Sequence, residues 1–292
     1  MLKQLRYILR TMRPRQWPKN VFVFAALVFD RQLIALDSLL ITSFAFVLFC
    51  LASSLVYLIN DLSDIESDRQ HPHKRNRPLA SGLLPKKTAL LVIIFLVLLV
   101  FPISFIFDTG FGLIISGYFA MMVAYSFWLK HMPLIDVMVI ATGFVLRVTA
   151  GVTIITTERF SPWLFVATTF LALFIGLGKR RAEIKLLESG ASAHRRVLKG
   201  YSVALLDQLL TIVLSTTLMT YCLYTFSAAI TPDNHVMMLT IPFVIYGLFR
   251  YLYLIRMEDV GGAPEEIVLS DRPMQMAVFI WGLTVIAILY LL

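Results

Sequence analysis

Cysteine and charge are both scarce in this sequence. Its 292 residues include only two cysteines, Cys50 and Cys222, and both lie within apolar stretches. Isolated cysteines in apolar surroundings are typical of small buried side chains, so neither a disulfide framework nor a cysteine zinc site is indicated. Charged residues make up 15% of the chain, whereas soluble domains carry about 25%. The composition therefore excludes an ordinary soluble domain.

Long apolar runs recur along the whole chain, which is 59% hydrophobic and has a mean hydropathy of +0.80. Runs of this length predict transmembrane helices, so we expect an all-α polytopic membrane protein. No internal repeat or linker separates the runs, and the sequence predicts a single domain over residues 1–292. Nine spans are predicted, at roughly 21–36, 38–60, 88–107, 110–128, 134–155, 162–178, 205–229, 236–254 and 275–292.

Basic residues are concentrated on one side of this topology. With the N-terminus in the cytoplasm, all but three of the 26 Lys and Arg residues fall in cytoplasmic segments, the exceptions being Arg31, Arg159 and Arg147. This asymmetry follows the positive-inside rule, predicts a multi-pass protein of the cell's plasma membrane, and explains the net charge of +8 without a nucleic acid partner. The long polar loops are also cytoplasmic, so we expect the active site to open there. These predicted cap loops are 60–87, 177–204 and 255–274.

A row of oxygen-bearing side chains follows the second predicted span. Asn60, Asp64 and Asp68 are spaced four residues apart, and Asp61 lies one turn before Asp64, so a continuing helix carries all four on one face. Carboxylates this close repel one another unless a cation lies between them. Mg²⁺ binds such oxygens together with substrate phosphates. The row therefore predicts Mg²⁺ as a cofactor, with a solvated acidic helix end as the alternative.

Basic side chains follow in the segment HPHKRNRP, where prolines prevent a regular helix. Lys74, Arg75 and Arg77 are suited to phosphate oxygens, although anchoring to membrane lipids explains part of this charge. Two ionisable residues, Asp136 and Arg147, lie eleven residues apart in the fifth predicted span and so share a face. Ionisable groups inside spans are functional candidates, so Arg147 is expected to bind a phosphate or to pair with an acid from another helix.

The motif N-D-x-x-D-x-x-x-D at the end of the second of nine helices resembles the UbiA superfamily of intramembrane prenyltransferases, over essentially the whole chain. The resemblance implies a nine-helix bundle around a central cavity open to the cytoplasmic side. It implies Asp64 and Asp68 as catalytic residues. The family's Y-x-x-x-K element resembles YSFWLKH here, with Tyr125 and Lys130 one residue further apart than usual. These two would hold leaving-group oxygens, and Lys19 would lie near the cavity, although interfacial anchoring also explains Tyr125 and Lys19.

One departure from the family pattern is informative. Aromatic prenyltransferases of this superfamily carry a second motif, D-x-x-x-D, after helix six, where this chain has GLGKRRAEIKLLESG. Lys179, Arg180 and Arg181 are basic there, and Glu183 is the nearest acid. A basic cluster binds phosphate without a bridging metal. We therefore expect a diphosphate on one wall of the pocket and a second phosphate on the opposite wall.

This combination resembles one branch of the superfamily, the decaprenyl-phosphate phosphoribosyltransferases, as do RPRQWPKN, DVMVIATGFVLRVTAG and the DRP before the last span. The resemblance implies a pentosyltransferase that moves phosphoribosyl from phosphoribosyl pyrophosphate to a polyprenyl phosphate and supplies arabinose donors for cell-wall glycans. The alternative is a prenyltransferase that joins a polyprenyl diphosphate to an aromatic acceptor. A transporter with an intramembrane cation site is disfavoured, because no paired half-helix breaks occur. The sequence is compatible with a homo-oligomer as well as with a monomer.

Overall fold

The computed structural model describes residues 2–70, 74–155, 161–188, 196–227, 235–257, 267 and 270–291. Within these ranges the secondary structure is helical and contains no strand, which confirms the predicted all-α class. Arg159 and parts of the predicted cap loops 60–87, 177–204 and 255–274 lie outside the described residues.

Eight of the described helices are long and apolar enough to cross a membrane. They correspond to the second to ninth predicted spans, so the protein is an integral membrane protein. The 3₁₀ turn Val236–Thr240 runs directly into the helix that begins at Ile241 and belongs to the same span. The eight helices are α3 (Leu36–Ser63), α5 (Lys86–Phe107), α6 (Thr109–Phe127), α7 (Ile135–Ile154), α8 (Pro162–Glu188), α9 (Val203–Ser227), α10 (Ile241–Met257) and α11 (Arg272–Leu291).

The first predicted span, 21–36, is not one long helix. The chain begins instead with α1 (Leu2–Met12), a 3₁₀ segment (Pro14–Phe24) and the short α2 (Ala25–Phe29). Pro18 lies inside the 3₁₀ segment and lacks the N–H that a regular α-helix uses. Within the predicted span, α2 ends at Phe29, and Arg31 has a positive φ of 59°, which is incompatible with a continuous α-helix. The prediction of nine long helices is therefore not confirmed among the described residues.

The 3₁₀ segment packs closely against α7. A β-carbon at Gly151 would lie 2.0 Å from the carbonyl oxygen of Val23, so any side chain other than hydrogen would force the two backbones apart. This close approach holds the segment that carries Trp17, Lys19 and Asn20 against the C-terminal part of α7. The glycine thereby positions Lys19, which the family resemblance predicts to lie near the cavity.

The chain divides into two compact units. The first consists of Met1–Leu27, Gln32–Leu129 and Leu146–Thr156, and the second of Val28–Arg31, Lys130–Val145 and Thr157–Leu292. Buried residues of α3, α5 and α6 form the core of the first unit, and those of α8, α9 and α10 form the main core of the second. The single domain over 1–292 stays a prediction.

Candidate functional site

The carboxylate row lies where α3 meets the short helix α4 (Ile65–Gln70), in the first unit. Asp64 is the one residue between them, but helical hydrogen bonding continues across it. The Asp64 N–H donates to the Asn60 carbonyl at 3.0 Å, and the Asp68 N–H donates to the Asp64 carbonyl at 2.8 Å. The helix therefore continues past the apolar run, as the spacing predicted.

Two arginines neutralise the buried part of the row. Asp61 and Asp68 are each 2% exposed, and Arg77 donates to both, at 3.1 Å and 2.6 Å respectively. Arg13 donates to the same oxygen of Asp61 at 2.5 Å, and its guanidinium lies 4.7 Å from the centre of the Tyr57 ring. Two acids and two bases thus form a cluster of zero net charge. The repulsion inferred from spacing is offset by arginines as well as by any bound cation.

Arg13 is a site residue that the sequence did not reveal. It lies 48 residues from Asp61 along the chain, and no local spacing links them. Its backbone has a positive φ of 54°, an uncommon conformation for a residue with a side chain. This turn ends α1 and directs the chain into the 3₁₀ segment. Of the bases predicted in the loop 74–77, Arg77 contacts the row, Lys74 is half-buried and Arg75 is exposed.

The donor set of the row fits a Mg²⁺ ion in its chemistry. Asn60 and Asp64 are half-buried oxygen donors one helical turn apart, next to the carboxylate of Asp68. Mg²⁺ prefers oxygen donors of this kind and keeps positions for water and phosphate. Asp61, with two guanidinium partners, is the member least available to a metal. Within the described ranges, no group of three or more His, Cys, Asp or Glu side chains lies together in the arrangement of a complete metal site.

Arg147 lies deep in the first unit and is 7% exposed. Its Nε donates to the Asn20 side-chain oxygen at 2.8 Å, and its Nη2 donates to the Tyr118 hydroxyl at 3.0 Å. The guanidinium also lies over the rings of Phe49 and Tyr118. Arg147 therefore connects the 3₁₀ segment to α3 and α6. Asp136, which the sequence placed on the same face, has a different arginine partner.

Asp136 is the centre of a buried network in the second unit and is 0% exposed. The Arg180 Nε donates to one carboxylate oxygen and the Tyr201 hydroxyl donates to the other, both at 2.6 Å. Arg180, 1% exposed, also donates to Glu183 at 2.5 Å. The pKa of Tyr201 is raised, because burial disfavours the phenolate and the protonated hydroxyl donates a hydrogen bond to the Asp136 carboxylate.

Tyr201 also fixes the turn that precedes α7. Its hydroxyl accepts the N–H of Leu134 at 2.6 Å, and Leu134 has a positive φ of 68°. A β-carbon at Gly200 would lie 2.3 Å from the ring Cγ of Pro133, so the Gly200 backbone packs closely against the proline ring. The half-buried Lys130 lies just before this turn, in the 3₁₀ helix Leu129–His131. Tyr201 thus supports the segment that carries one of the predicted site residues.

Arg181 is held by residues of α9 and α10. Its Nε donates to Asp207 at 2.8 Å and its Nη1 to the Ile255 carbonyl at 2.6 Å. Arg256 forms a second ion pair with Asp207, at 3.3 Å. Two of the three bases in GKRRAE are therefore neutralised by internal carboxylates. The sequence predicted that these bases bind a phosphate. In the structure Arg180 and Arg181 already pair with acids, and two of these acids, Asp136 and Asp207, lie on other helices and are distant in sequence.

The remaining predicted residues are half-buried. Lys19 lies in the 3₁₀ segment, Tyr125 near the end of α6 and Lys179 on α8 next to the Arg180 network. Lys19 is flanked by two residues bonded to α3: the Trp17 indole donates to Ser54 at 3.0 Å, and the Asn20 amide donates to Ser53 at 3.2 Å. These bonds hold the segment against α3, one to two turns before the carboxylate row.

Similarity to known proteins defines the class of this membrane protein. The sequence profile of the UbiA prenyltransferase family matches residues 20–270, and the chain belongs to this family. It is 34% identical to the decaprenyl-phosphate phosphoribosyltransferase of Corynebacterium glutamicum, over 98% of this chain and 87% of that protein. It is also 34% identical to the Mycobacterium tuberculosis protein of the same name, over 95% and 92%.

Solved structures show the same fold at low sequence identity. A UbiA homolog from Archaeoglobus fulgidus bound to DMAPP and Mg²⁺ superposes with a TM-score of 0.71 at 19% identity, covering 98% of this chain and 99% of that one. A digeranylgeranylglyceryl phosphate synthase gives a TM-score of 0.67 at 16% identity, with both chains fully covered. These similarities confirm the predicted UbiA fold.

Proposed function

We propose that this protein is a pentosyltransferase that moves 5-phosphoribosyl from phosphoribosyl pyrophosphate to a polyprenyl phosphate of the decaprenyl type and releases diphosphate. The observation that carries the proposal is the identity of 34% to decaprenyl-phosphate phosphoribosyltransferases across nearly the whole of both chains. The position of GKRRAE, where aromatic prenyltransferases have a second aspartate motif, supports the same donor. The product would supply arabinose donors for cell-envelope glycans.

The carboxylate row would hold the donor diphosphate. Asn60, Asp64 and Asp68 are the residues that would bind Mg²⁺, with Asp61 supporting them through Arg13 and Arg77. When bound, the ion would neutralise the charge that develops on the diphosphate as its bond to ribose C1 breaks. The guanidinium groups already beside the row would donate to phosphate oxygens. Because the acceptor phosphate is an anion, the chain needs no strong general base, and its residues act by orientation.

The other predicted residues divide into two groups. Lys19, Lys74, Arg75, Tyr125, Lys130, Arg147 and Lys179 are assigned to the binding of phosphate or leaving-group oxygens. Arg180, Arg181, Asp136 and Glu183 are assigned to the positioning of α8, since their charged groups bond to one another or to α9 and α10. Lys179 is then the base of GKRRAE that contacts a substrate. The site is proposed to open to the cytoplasm, where the positive-inside rule places the basic loops.

Donor competition tests this function. Purified protein receives Mg²⁺ and either phosphoribosyl pyrophosphate with a polyprenyl phosphate, or a prenyl diphosphate with an aromatic acid. We expect product from the first pair alone. Asp64→Asn should abolish transfer, whereas Glu66→Gln is the matched control, because Glu66 is an exposed acid two residues away that pairs with Arg69. Product from the prenyl pair alone would contradict the proposal.

A further inference from the structure

Helix α1 exposes two adjacent stripes of opposite character. Leu5 and Leu9 are 53% and 44% exposed and lie one helical turn apart. Arg6 and Arg10, also exposed and one turn apart, lie beside them, and Lys3 extends the basic stripe. The helix contains no acidic residue. Apolar and basic stripes side by side are typical of helices that lie in the plane of a membrane interface.

The opposite face of α1 packs on two membrane spans of the first unit. Ile8 contacts a cluster that includes Leu58 of α3 and Ile93 of α5, and it also contacts a second cluster that includes Ile65 and Leu84. These residues lie near the end of α3 and the beginning of α5. Helix α1 therefore lies at the level where both spans leave the apolar region, and its exposed stripes face outward from that level.

We propose that α1 is an interfacial helix that docks on anionic lipid headgroups. Leu5 and Leu9 enter the boundary of the acyl chains, while Arg6 and Arg10 bind headgroup phosphates. Charge complementarity favours anionic headgroups, because α1 exposes basic side chains and contains no acidic residue. The packing of α1 on α3 and α5 favours a lipid partner too, since the bilayer surface lies next to the ends of these spans. The proposal is independent of which substrates the protein uses.

Lipid docking would also support the carboxylate row. Helix α1 leads directly into Arg13, whose guanidinium donates to Asp61. If α1 is held at the headgroups, the position of the backbone that leads into Arg13 is fixed as well. Each base near an anionic surface favours the docked state roughly fivefold, so two bases favour it roughly 25-fold. Removal of Arg6 and Arg10 should lower the equilibrium constant for docking by roughly that factor.

Spin labels on the full chain in lipid nanodiscs test the proposal. The background carries Cys222→Ser and keeps Cys50, which is 2% exposed and resists labelling. Labels are placed at Leu9→Cys, at Leu98→Cys as a lipid reference within α5, and at Glu66→Cys as a water reference. Collisions with oxygen report lipid exposure, and collisions with a soluble nickel complex report water exposure. Nanodiscs contain phosphatidylcholine with or without phosphatidylglycerol.

We expect the label at position 9 to resemble the lipid reference, and more strongly so with phosphatidylglycerol. Arg6→Gln/Arg10→Gln should remove the effect of phosphatidylglycerol, whereas Arg15→Gln/Lys199→Gln, which removes two other exposed bases, should retain it. A label at position 9 that resembles the water reference in both lipids would overturn the proposal. So would an immobilised label that neither reagent reaches, because that result indicates a protein partner on this face.

Discussion

Replacement of Arg180 should strongly destabilise the protein. Arg180 and Asp136 have side chains 2% and 0% exposed, and their atoms approach to 2.6 Å. Arg180→Met keeps the length of the side chain but leaves the Asp136 carboxylate buried with only the Tyr201 hydroxyl as a described donor. Removing one partner of a buried ion pair costs about 3–5 kcal/mol. Coulomb's law at an effective dielectric constant of about 20 gives about 4 kcal/mol for charges about 4 Å apart, which agrees.

Thermal unfolding in detergent, followed by the loss of the monodisperse peak in size-exclusion chromatography, measures this effect. We expect Arg180→Met to lower the midpoint by roughly 10 °C, since about 1 kcal/mol shifts the midpoint of a chain this size by about 2–4 °C. Lys179→Met is the matched control, because it removes the neighbouring base without breaking the Asp136 pair, and it should lower the midpoint less than Arg180→Met does.

A double replacement distinguishes the ion pair from simple packing. Asp136→Asn/Arg180→Met removes both charges and should recover part of the loss, so that it unfolds at a higher temperature than Arg180→Met alone. If the double variant is no more stable than the single one, or the coupling is below about 0.5 kcal/mol, the pair is not the source of stability. That outcome would refute the assignment of Arg180 to positioning and return it to the phosphate-binding candidates.

Three further predictions concern neighbouring groups. Arg13→Gln should raise the KM for phosphoribosyl pyrophosphate roughly tenfold by releasing Asp61, whereas Arg15→Gln should not; equal KM values in donor titrations would contradict this. Tyr201→Phe should cost about 1–3 kcal/mol in thermal unfolding, because the Leu134 N–H loses its acceptor; an unchanged midpoint would show the bond to be unimportant. The hydrogen bond from Arg250 lowers the pKa of the Asp271 carboxyl in the folded protein. The stabilisation that this bond gives is therefore present above the unfolded pKa of about 3.9 and is lost as the pH falls through the lower, folded pKa. The stability advantage over Asp271→Asn should therefore disappear in acid, and an advantage that is constant with pH would exclude this cause.

Most of the fold could be predicted from the sequence, because hydrophobic runs in a membrane protein directly reflect spans. The predicted span 88–107 corresponds to Lys86–Phe107, and 110–128 corresponds to Thr109–Phe127. The first predicted span, 21–36, is not confirmed as one helix, because the chain there forms the end of a 3₁₀ segment and the short α2. Hydropathy registers apolar character but not backbone geometry, such as the 3₁₀ segment that runs to Phe24 and the positive φ at Arg31.

The candidate site was predictable only where its residues are close in sequence. Helical spacing correctly placed Asn60, Asp64 and Asp68 along one continuous run. Spacing could not show that Arg13 bonds to Asp61 from 48 residues away, or that Arg180 pairs with Asp136 across 44 residues. Such pairs depend on tertiary packing, which local periodicity does not record. The same limit applies to GKRRAE, because its sequence could not show that Arg180 and Arg181 pair with acids of other helices.

The carboxylate row is proposed to activate a phosphosugar. The most direct measurement uses phosphoribosyl pyrophosphate labelled with ³²P either at the 5-phosphate or at the β-phosphate, together with a polyprenyl phosphate and Mg²⁺. We predict that 5-phosphate label enters the lipid fraction, while β-phosphate label appears in soluble diphosphate at the same rate. Failure of the 5-phosphate label to enter lipid, in protein that still joins a prenyl diphosphate to an aromatic acid, would contradict the account.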